Sequence, residues 1–430
     1  VMINTNGTLN VLADGTALNN ITETSAGTLN VGDANTAVTA TRNYTSGGQG
    51  LGLGKVTVAE GSTLALVLAG NRWGVSFSGL HGTLDVSGGA NLIFAESETL
   101  SGATLNVAAG TQIFGYKSLN LAGVTIKGDG TLNTNNNASD AAAVTLTGDN
   151  KILVANISGA AESSLTVSSG TTTIASNMSA FEGTLKVESG ATIKPTGTIA
   201  FGGTAVFNGT IDNVGKTALF DIPTSKSVSF GSNVKFNLSE LDDGETTFTV
   251  FSGTLNNLTG WNNLNKNNVT LNGSMLGSRM DADFSTAGQI VISADLLELV
   301  WNGGPYQTVW KSNDSTKEIW NKKDASPTEA TYFVNGDSVI FNSDANLTIE
   351  AGSTITVGTL TVAIGPDVSL TNNGKLVTKG GITINNGVLA IKGTTKEYTN
   401  KTTFSSSQGR LKLKGGKTIN AEISGDGFVD

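Results

Sequence analysis

Short stretches of alternating hydrophobic and polar residues run along the chain, and one such stretch recurs. It reads G-T-L-x-V-x-x-G-x-x-I, in which a glycine separates an alternating leucine and valine from the next isoleucine or leucine. Its first half, or a close variant, begins at Gly7, Gly27, Gly82, Ala103, Gly183 and Gly358. Its second half begins at Gly61, Gly89, Gly110 and Gly190. Because a period of two is typical of β-strands, the motif predicts pairs of short strands that meet near a glycine able to adopt a positive φ.

The spacing of the copies predicts how these strands associate. In the best-preserved stretches they recur about 20 residues apart, and such short strands are stable only when each stacks on its copy in the next repeat. The sequence therefore predicts an all-β fold, a right-handed parallel β-helix (β-solenoid), interrupted by an irregular segment. Leucines and valines such as Leu9 and Val11 are expected to point inward. Outward asparagines are expected to form ladders, with these candidates: Asn10, Asn30, Asn106 and Asn120.

Changes in the pattern divide the chain into three predicted parts. Residues 1–215 carry the regular repeats, residues 216–298 form an irregular, looped solenoid segment, and residues 299–430 form a second β-strand module with a tryptophan-rich entry. Helical spacing is not sustained anywhere, and the best candidate, residues 294–299, is little longer than one turn. The entry holds Trp301, Trp310 and Trp320. We interpret them as a hydrophobic plug for one solenoid segment, with an aromatic platform for sugar rings as the alternative.

Composition narrows the function classes. Glycine supplies 55 of 430 residues, but only 5 prolines are present and the glycines have no three-residue period, which excludes collagen. The net charge of −9 counts against a phosphate-binding surface, so no nucleic-acid partner is expected. With 0 cysteines, disulfide scaffolds and thiol chemistry are excluded. No run of 18 apolar residues occurs, so we expect no direct membrane insertion of this segment.

Candidate catalytic residues are few. The single histidine, His81, precedes a repeat strand, and a surface turn is the preferred interpretation. Asp242-Asp243 form an adjacent acidic pair of the kind that some β-helical polysaccharide hydrolases use as acid and base. The accompanying Gly-His-Gly of those enzymes is missing, and only Arg410-Leu411-Lys412 fits their Arg-x-Lys, so an acidic turn is preferred.

Binding motifs are equally incomplete. Residues 47–55 resemble a phosphate loop, but Gln49 and Val56 stand where the motif needs a glycine and a serine or threonine. The acidic turns at residues 128–130 and 425–427 lack the nine-residue recurrence of calcium-binding repeats. We therefore predict no catalytic, cofactor-binding or metal-binding residues and no cofactor.

The repeats resemble those of a known family. The G-T-L-x-V-x-x-G-x-x-I units up to about Gly209 resemble the passenger-associated transport repeats of bacterial autotransporter-like, adhesin-like proteins. The second module resembles the autotransporter-associated β-strand repeat in Trp301-Asn302-Gly303, in residues 336–341 and in residues 419–427. The family pattern ends in a membrane barrel, whereas this chain stops at Asp430 within a repeat, so we expect it to be an internal part of a longer protein.

This resemblance implies a non-enzymatic passenger displayed at the bacterial cell surface, acting as an adhesin or a structural rod. It implies export through the outer membrane by a β-barrel translocator in the same full-length chain, and host or matrix glycans or proteins as binding partners. A β-helical polysaccharide lyase or glycoside hydrolase is the alternative function, and a spacer that binds nothing also remains open.

Overall fold

A computed structural model confirms the parallel β-solenoid and its irregular interruption. The structure describes residues 2–3, 7–18, 22–23, 27–44, 55–68, 72–75, 77–94, 98–115, 118–135, 143–239, 241, 244–252, 255, 257–303, 306–314, 316–395, 397–415 and 417–430. Across these ranges the regular structure is β-strand with two short 3-10 helices. The chain forms two compact units. Unit 1 comprises Val1–Asn237, Thr249–Leu264 and Phe284–Gln289, and unit 2 comprises Leu238–Phe248, Asn265–Asp283 and Ile290–Asp430. The three-part division made from the sequence stays a prediction.

Unit 1 is a solenoid whose coils contribute strands to three stacks, which we call its first, second and third faces. Neighbouring coils pair in parallel.
The first face contains Thr8–Val11, Thr28–Val31, Lys55–Val58 and Phe77–Leu80, and, in a further sheet, Glu98–Ser101, Ser118–Ala122, Ala143–Thr147, Ser164–Val167, Thr184–Val187, Thr204–Phe207, Val228–Phe230 and Leu258–Thr259.
The second face contains Thr16–Ala17, Thr39–Tyr44, Thr63–Leu68, Thr83–Ser87, Thr104–Val107, Thr125–Asn133, Asn150–Ser158, Thr171–Ile174, Thr192–Pro195, Thr210–Val214 and Lys235–Leu238.
The third face contains Met2–Ile3 and Thr22–Glu23, then Arg72–Val75, Asn91–Phe94 and Gln112–Gly115, and finally Ile199–Ala200, Phe220–Asp221 and Phe251–Ser252; the ends of the long strands Thr125–Asn133 and Asn150–Ser158 extend this face.

The repeated motif is a corner that joins two faces, rather than a whole coil. The copies at Gly7 and Gly27 lie on the first face, where Leu9 pairs with Leu29. The copy at Gly82 lies on the second face, where Leu84 pairs with Leu105 of the Ala103 copy. In each case the strand after the next glycine begins the following face. The same motif therefore forms the corner between the first and second faces and the corner between the second and third faces. Each of these corners needs an alternating strand, a glycine bend and a second alternating strand.

Alternation directs the apolar side chains inward, as predicted. Thr28–Val31 shows the pattern, with Leu29 and Val31 buried and the residues between them half-exposed. Thr104–Val107 and Ser164–Val167 repeat it. Burial of one such side chain stabilises the fold by about 1.5–3 kcal/mol. The hydrophobic effect and the parallel hydrogen-bond ladder thus act on the same residues in every coil.

Glycines at equivalent turns have the positive φ that the motif predicts. Gly148, Gly170 and Gly190 precede second-face strands of successive coils and have φ values of 66°, 68° and 83°. L-residues with a side chain rarely adopt this left-handed conformation because Cβ then crowds the following carbonyl. In these turns two to four residues separate the end of one strand from the start of the next.

Aromatic side chains fill the interior where the regular repeats loosen. The aromatic rings of Phe207, Phe220 and Phe251 lie 5.6–6.2 Å apart. Trp261, in the 3-10 helix Trp261–Asn263, is 5.3 Å from Phe230 between ring centroids and donates its indole N–H to the Phe284 carbonyl at 2.8 Å. Unit 1 therefore keeps a packed aromatic interior in its irregular part.

Unit 2 combines antiparallel pairs with a second parallel stack. The antiparallel strands are Val269–Leu271 with Ser274–Met275, Met280–Asp283 with Gln289–Ala294, and Glu298–Trp301 with Trp320–Lys322, which also pairs with Ala330–Thr331.
The parallel stack contains Glu298–Trp301, Gln307–Val309, Ser338–Phe341, Ala345–Ile349, Leu360–Asn372, Ile382–Lys392, Thr402–Phe404, Arg410–Leu413, Ile423–Gly425 and Phe428–Val429, with two smaller pairs, Thr354–Val357 with Lys375–Thr378 and Glu397–Tyr398 with Thr418–Ile419.
The remaining elements are the strand Glu245–Thr249, which pairs with Gln289–Ala294, and the 3-10 helix Lys266–Asn268.

Candidate functional site

The tryptophans of unit 2 form an internal cluster. Trp301, Trp310 and Trp320 are 2%, 1% and 1% exposed, and they pack with Phe333 and Phe341 at centroid distances of 5.1–6.1 Å. The alternative of an aromatic platform for sugar rings is wrong, because no indole face is open to solvent for stacking. The preferred interpretation, a hydrophobic plug, agrees with this burial.

His81 lies on the surface of unit 1. It precedes the strand Thr83–Ser87 and borders an open cleft of about 860 Å³ that Asn10, Asn30, Asp33 and Glu60 also line. A backbone hydrogen bond to the Val58 carbonyl at 2.9 Å fixes its position. Within the described ranges no group of three or more histidine, aspartate or glutamate side chains is placed to hold a metal ion.

Polar ladders occupy the outer surface of unit 1, as the alternation predicts. The Asn30 amide donates to the side-chain oxygen of Asn10 at 2.8 Å across one coil step. Asn106 donates to Asp85, and Asn120 donates to Thr99 at 3.5 Å. The outer surface is therefore an ordered array of amides, hydroxyls and carboxylates.

The remaining candidate residues that the structure describes are not brought together at one place. Asp242-Asp243 and residues 47–54 lie outside the described residues. In the turn at residues 128–130, Gly128 and Asp129 are exposed and Gly130 is buried, within the strand Thr125–Asn133. Arg410 pairs with Asp430 at 3.7 Å, where both side chains are about half-exposed.

A buried ion pair in unit 2 was not foreseen from the sequence. Arg279 donates to both carboxylate oxygens of Asp337, at 2.6 and 3.2 Å, and the Asp337 carboxylate also accepts the backbone N–H groups of Leu297 and Val334 at 2.7 Å each. Burial raises the pKa of the Asp337 carboxyl, and these hydrogen bonds oppose the rise. All of its polar atoms are paired, so the cluster acts as a structural clamp. An isolated arginine and aspartate 58 residues apart give no sequence signal for it.

Unit 2 also contains a cleft of about 690 Å³ with mostly polar lining residues, which we call the polar cleft. It lies beside the loop that contains residues 311–314 and 316. Its buried lining residues are Leu271, Trp310, Asn313 and Ile355, and its more exposed ones include Lys311, Asp314 and Glu350. Its volume falls in the range of about 300–1,000 Å³ that is usual for small-molecule sites.

Hydrogen bonds hold the loop beside the polar cleft. The Asn313 N–H donates to the Phe333 carbonyl at 2.8 Å, and the Ser312 hydroxyl accepts the Asn335 N–H at 2.9 Å. Asp314 accepts the N–H of Thr316 at 3.1 Å in an Asx turn. The hydrogen bonds of Ser312 and Asn313 therefore attach the first part of the loop to the core, and the hydrogen bond between Thr316 and Asp314 closes a turn at its end.

Comparisons with known proteins yield no relatives. No family model matches the chain, and neither a curated protein nor a solved structure is similar to it. A separate search of the described residues detects no helix that is long and apolar enough to cross a membrane.

Proposed function

We propose that the chain is part of a non-enzymatic passenger of a bacterial autotransporter-like protein, displayed at the cell surface as an adhesin or structural rod. The observation that carries the proposal is the in-register parallel stacking of the repeated corner, together with polar ladders on the outer surface. A stack of this kind is extended by adding equivalent coils, which suits a spacer that holds a binding surface away from a membrane.

The physical properties of the coils support export before folding. Each coil contacts mainly its neighbours, so a chain that emerges from a pore can fold one coil at a time. The 0 cysteines make folding independent of an oxidising compartment. In this proposal an outer-membrane β-barrel translocator in the same full-length chain exports the segment, and host or matrix glycans or proteins are its binding partners.

Exposure on living cells tests the proposal. Antibodies raised against residues 143–239 should label intact cells of the encoding organism, and external protease should remove the label without lysis. Deletion of the gene should weaken attachment to surfaces or host cells, and a chain carrying the segment should restore it. Labelling that appears only after the outer membrane is permeabilised would refute surface display.

A further inference from the structure

A strongly basic stretch lies in unit 2, although the chain as a whole is acidic. Residues 368–421 contain nine lysine and arginine residues and one acidic residue, Glu397, whereas the full sequence contains 26 basic and 35 acidic residues. A local excess of one sign of charge attracts partners of the opposite sign. The places of these cations in the fold therefore decide what they can bind.

The strand register brings three of these lysines to one outward surface. Ile391 pairs with Leu413 in the neighbouring coil. The residues that follow them, Lys392 and Lys414, therefore occupy equivalent positions one coil apart, and the Lys414 N–H donates to the Ile391 carbonyl at 2.9 Å. Because side chains alternate along a strand, Lys412 lies on the same outward side as Lys414. We call Lys392, Lys412 and Lys414 the lysine patch.

The lysines of the patch are close enough to repel one another. The Cα atom of Lys414 lies about 4.8 Å from that of Lys392, the spacing of neighbouring strands, and about 7 Å from that of Lys412, two residues along one strand. Both spacings are shorter than the Debye length of about 8 Å at physiological ionic strength, so salt screens the repulsion only in part. Like charges at adjacent positions of a sheet are destabilising.

Elsewhere the protein places opposite charges at such positions. Lys194 and Asp212 lie one coil apart in unit 1 and form an ion pair at 3.0 Å. Lys401 and Glu422 lie one coil apart in unit 2 and form an ion pair at 3.1 Å. Within the described ranges, no carboxylate forms an ion pair with a lysine of the patch. The lysine patch therefore presents positive charge that the fold itself does not neutralise.

We propose that the lysine patch of unit 2 binds a linear anionic polysaccharide through its sulfate or carboxylate groups. Three cations spread over two coils are matched by several anionic groups on one chain, and each ammonium group has three donors that can turn towards them. This inference rests on the proposed function, because it gives the adhesive passenger a ligand class and a binding surface.

The residues beside the lysine patch favour a polysaccharide over a nucleic acid or a membrane. Thr371 pairs with Lys392 in register, Ala390 pairs with Lys412, and Ser369 pairs with Ala390. These small residues offer hydroxyl groups to a sugar. They provide neither the aromatic rings that stack unpaired bases nor the large apolar side chains that enter a lipid surface.

Binding of the purified full chain to immobilised polysaccharides, measured by surface plasmon resonance, tests the proposal. The anionic probes are dextran sulfate and polygalacturonate, and the neutral probe is dextran, which has the same backbone as dextran sulfate. We expect both anionic probes to bind and dextran not to bind. The affinity should fall as salt is added, because salt screens exposed charges.

Two matched sets of substitutions locate the binding surface. The triple variant Lys392→Gln, Lys412→Gln and Lys414→Gln should weaken binding by about tenfold or more. The control triple variant removes the same charge from three exposed lysines of unit 1, by Lys127→Gln, Lys151→Gln and Lys186→Gln, and should bind as the wild type does. Replacement of the three patch lysines by arginine keeps the charge and should preserve binding. Circular dichroism verifies that each variant is folded.

Several results would overturn the proposal. They are absence of binding to both anionic probes, equal binding of dextran, resistance of the binding to salt, and equal weakening by the two sets of glutamine substitutions. Tighter binding of single-stranded DNA, or of phosphatidylcholine vesicles that contain phosphatidylglycerol, would show that the ligand class is wrong. Surface labelling of whole cells is measured independently. Display without polysaccharide binding therefore overturns this inference alone, whereas binding without display overturns only the passenger function.

Discussion

The turn glycines of unit 1 allow a sharp test of how tightly successive coils are stacked. Gly170 and Gly190 occupy equivalent turns and both have a positive φ, but their surroundings differ. A Cβ added to Gly170 would lie 2.6 Å from the Cα of Gly148 in the preceding coil and closer still to its carbonyl group. A Cβ added to Gly190 would meet nothing within 4 Å.

The two alanine substitutions should therefore differ in cost. Each forces a non-glycine residue into the left-handed region, which costs about 1–2 kcal/mol. Gly170→Ala also drives a methyl group into backbone that cannot rotate away, and overpacking of this kind costs typically about 1–3 kcal/mol more. We expect a loss of about 2–5 kcal/mol for Gly170→Ala and about 1–2 kcal/mol for Gly190→Ala.

Hydrogen exchange measured by mass spectrometry is the appropriate assay, because repeat arrays open in segments rather than all at once. Peptides covering Ser164–Val167 and Thr171–Ile174 should lose more protection in Gly170→Ala than in Gly190→Ala, and urea unfolding followed by circular dichroism should rank the variants in the same order. Equal losses in the two variants would show that the stacking is not tight at Gly170 and that only the left-handed φ matters.

Three further predictions concern buried polar and aromatic groups. Burial raises the pKa of Tyr398 to about 12, so an ultraviolet titration should show a phenolate step near pH 12 that Tyr398→Phe lacks. Keeping this phenol neutral stabilises the folded state by about 3 kcal/mol relative to the ionised form, and this stabilisation is complete below pH ~10 and is lost as the pH rises through ~12. A wild type without the late titration step would contradict the burial. Asp337→Ala leaves the Arg279 guanidinium buried without its partner and should lower the free energy of urea unfolding by about 3–5 kcal/mol. Glu422→Ala, which breaks the exposed pair with Lys401, should lower it by less than about 1 kcal/mol. A similar loss in both variants would count against the clamp. Trp261→Ala leaves a cavity among the aromatic side chains and should lower the free energy of unfolding by about 3–5 kcal/mol, with loss of hydrogen-exchange protection in nearby strands. Unchanged protection would mean that the indole is not part of the core.

Much of the fold was predictable because the repeated motif itself specifies burial, bends and strand pairing. Alternation specifies which side chains are buried, the glycine specifies the bend, and the spacing of copies specifies parallel stacking, as the pairing of Leu9 with Leu29 confirms. The three faces were not predictable, because the motif at Gly7 and the motif at Gly82 read alike but lie on different faces. Identical local sequence does not encode which corner it forms.

The polar cleft and the ion-pair clamp were beyond sequence reasoning for a different reason. Trp310 and Asn313 come from an irregular loop with no period, and only the fold shows which tryptophan leaves its indole N–H unpaired. The presence of tryptophans in the entry was visible, and their burial agreed with a plug. Their hydrogen-bonding differences depend on neighbours that are distant in sequence, such as Asp344 for Trp301.

That one corner sequence serves at more than one face has a consequence for how such a chain changes length. Duplicating a full coil leaves every later strand on its original face, whereas duplicating one strand together with its bend moves all later strands to the next face. Because the corners at Gly7 and Gly82 are chemically alike, the shifted chain still buries its leucines and valines. The shift leaves the composition of the core unchanged, whereas the outward-facing residues all move to a different face of the stack. Duplication of one strand with its bend is thus a route by which the outer surface can be reoriented with the core preserved.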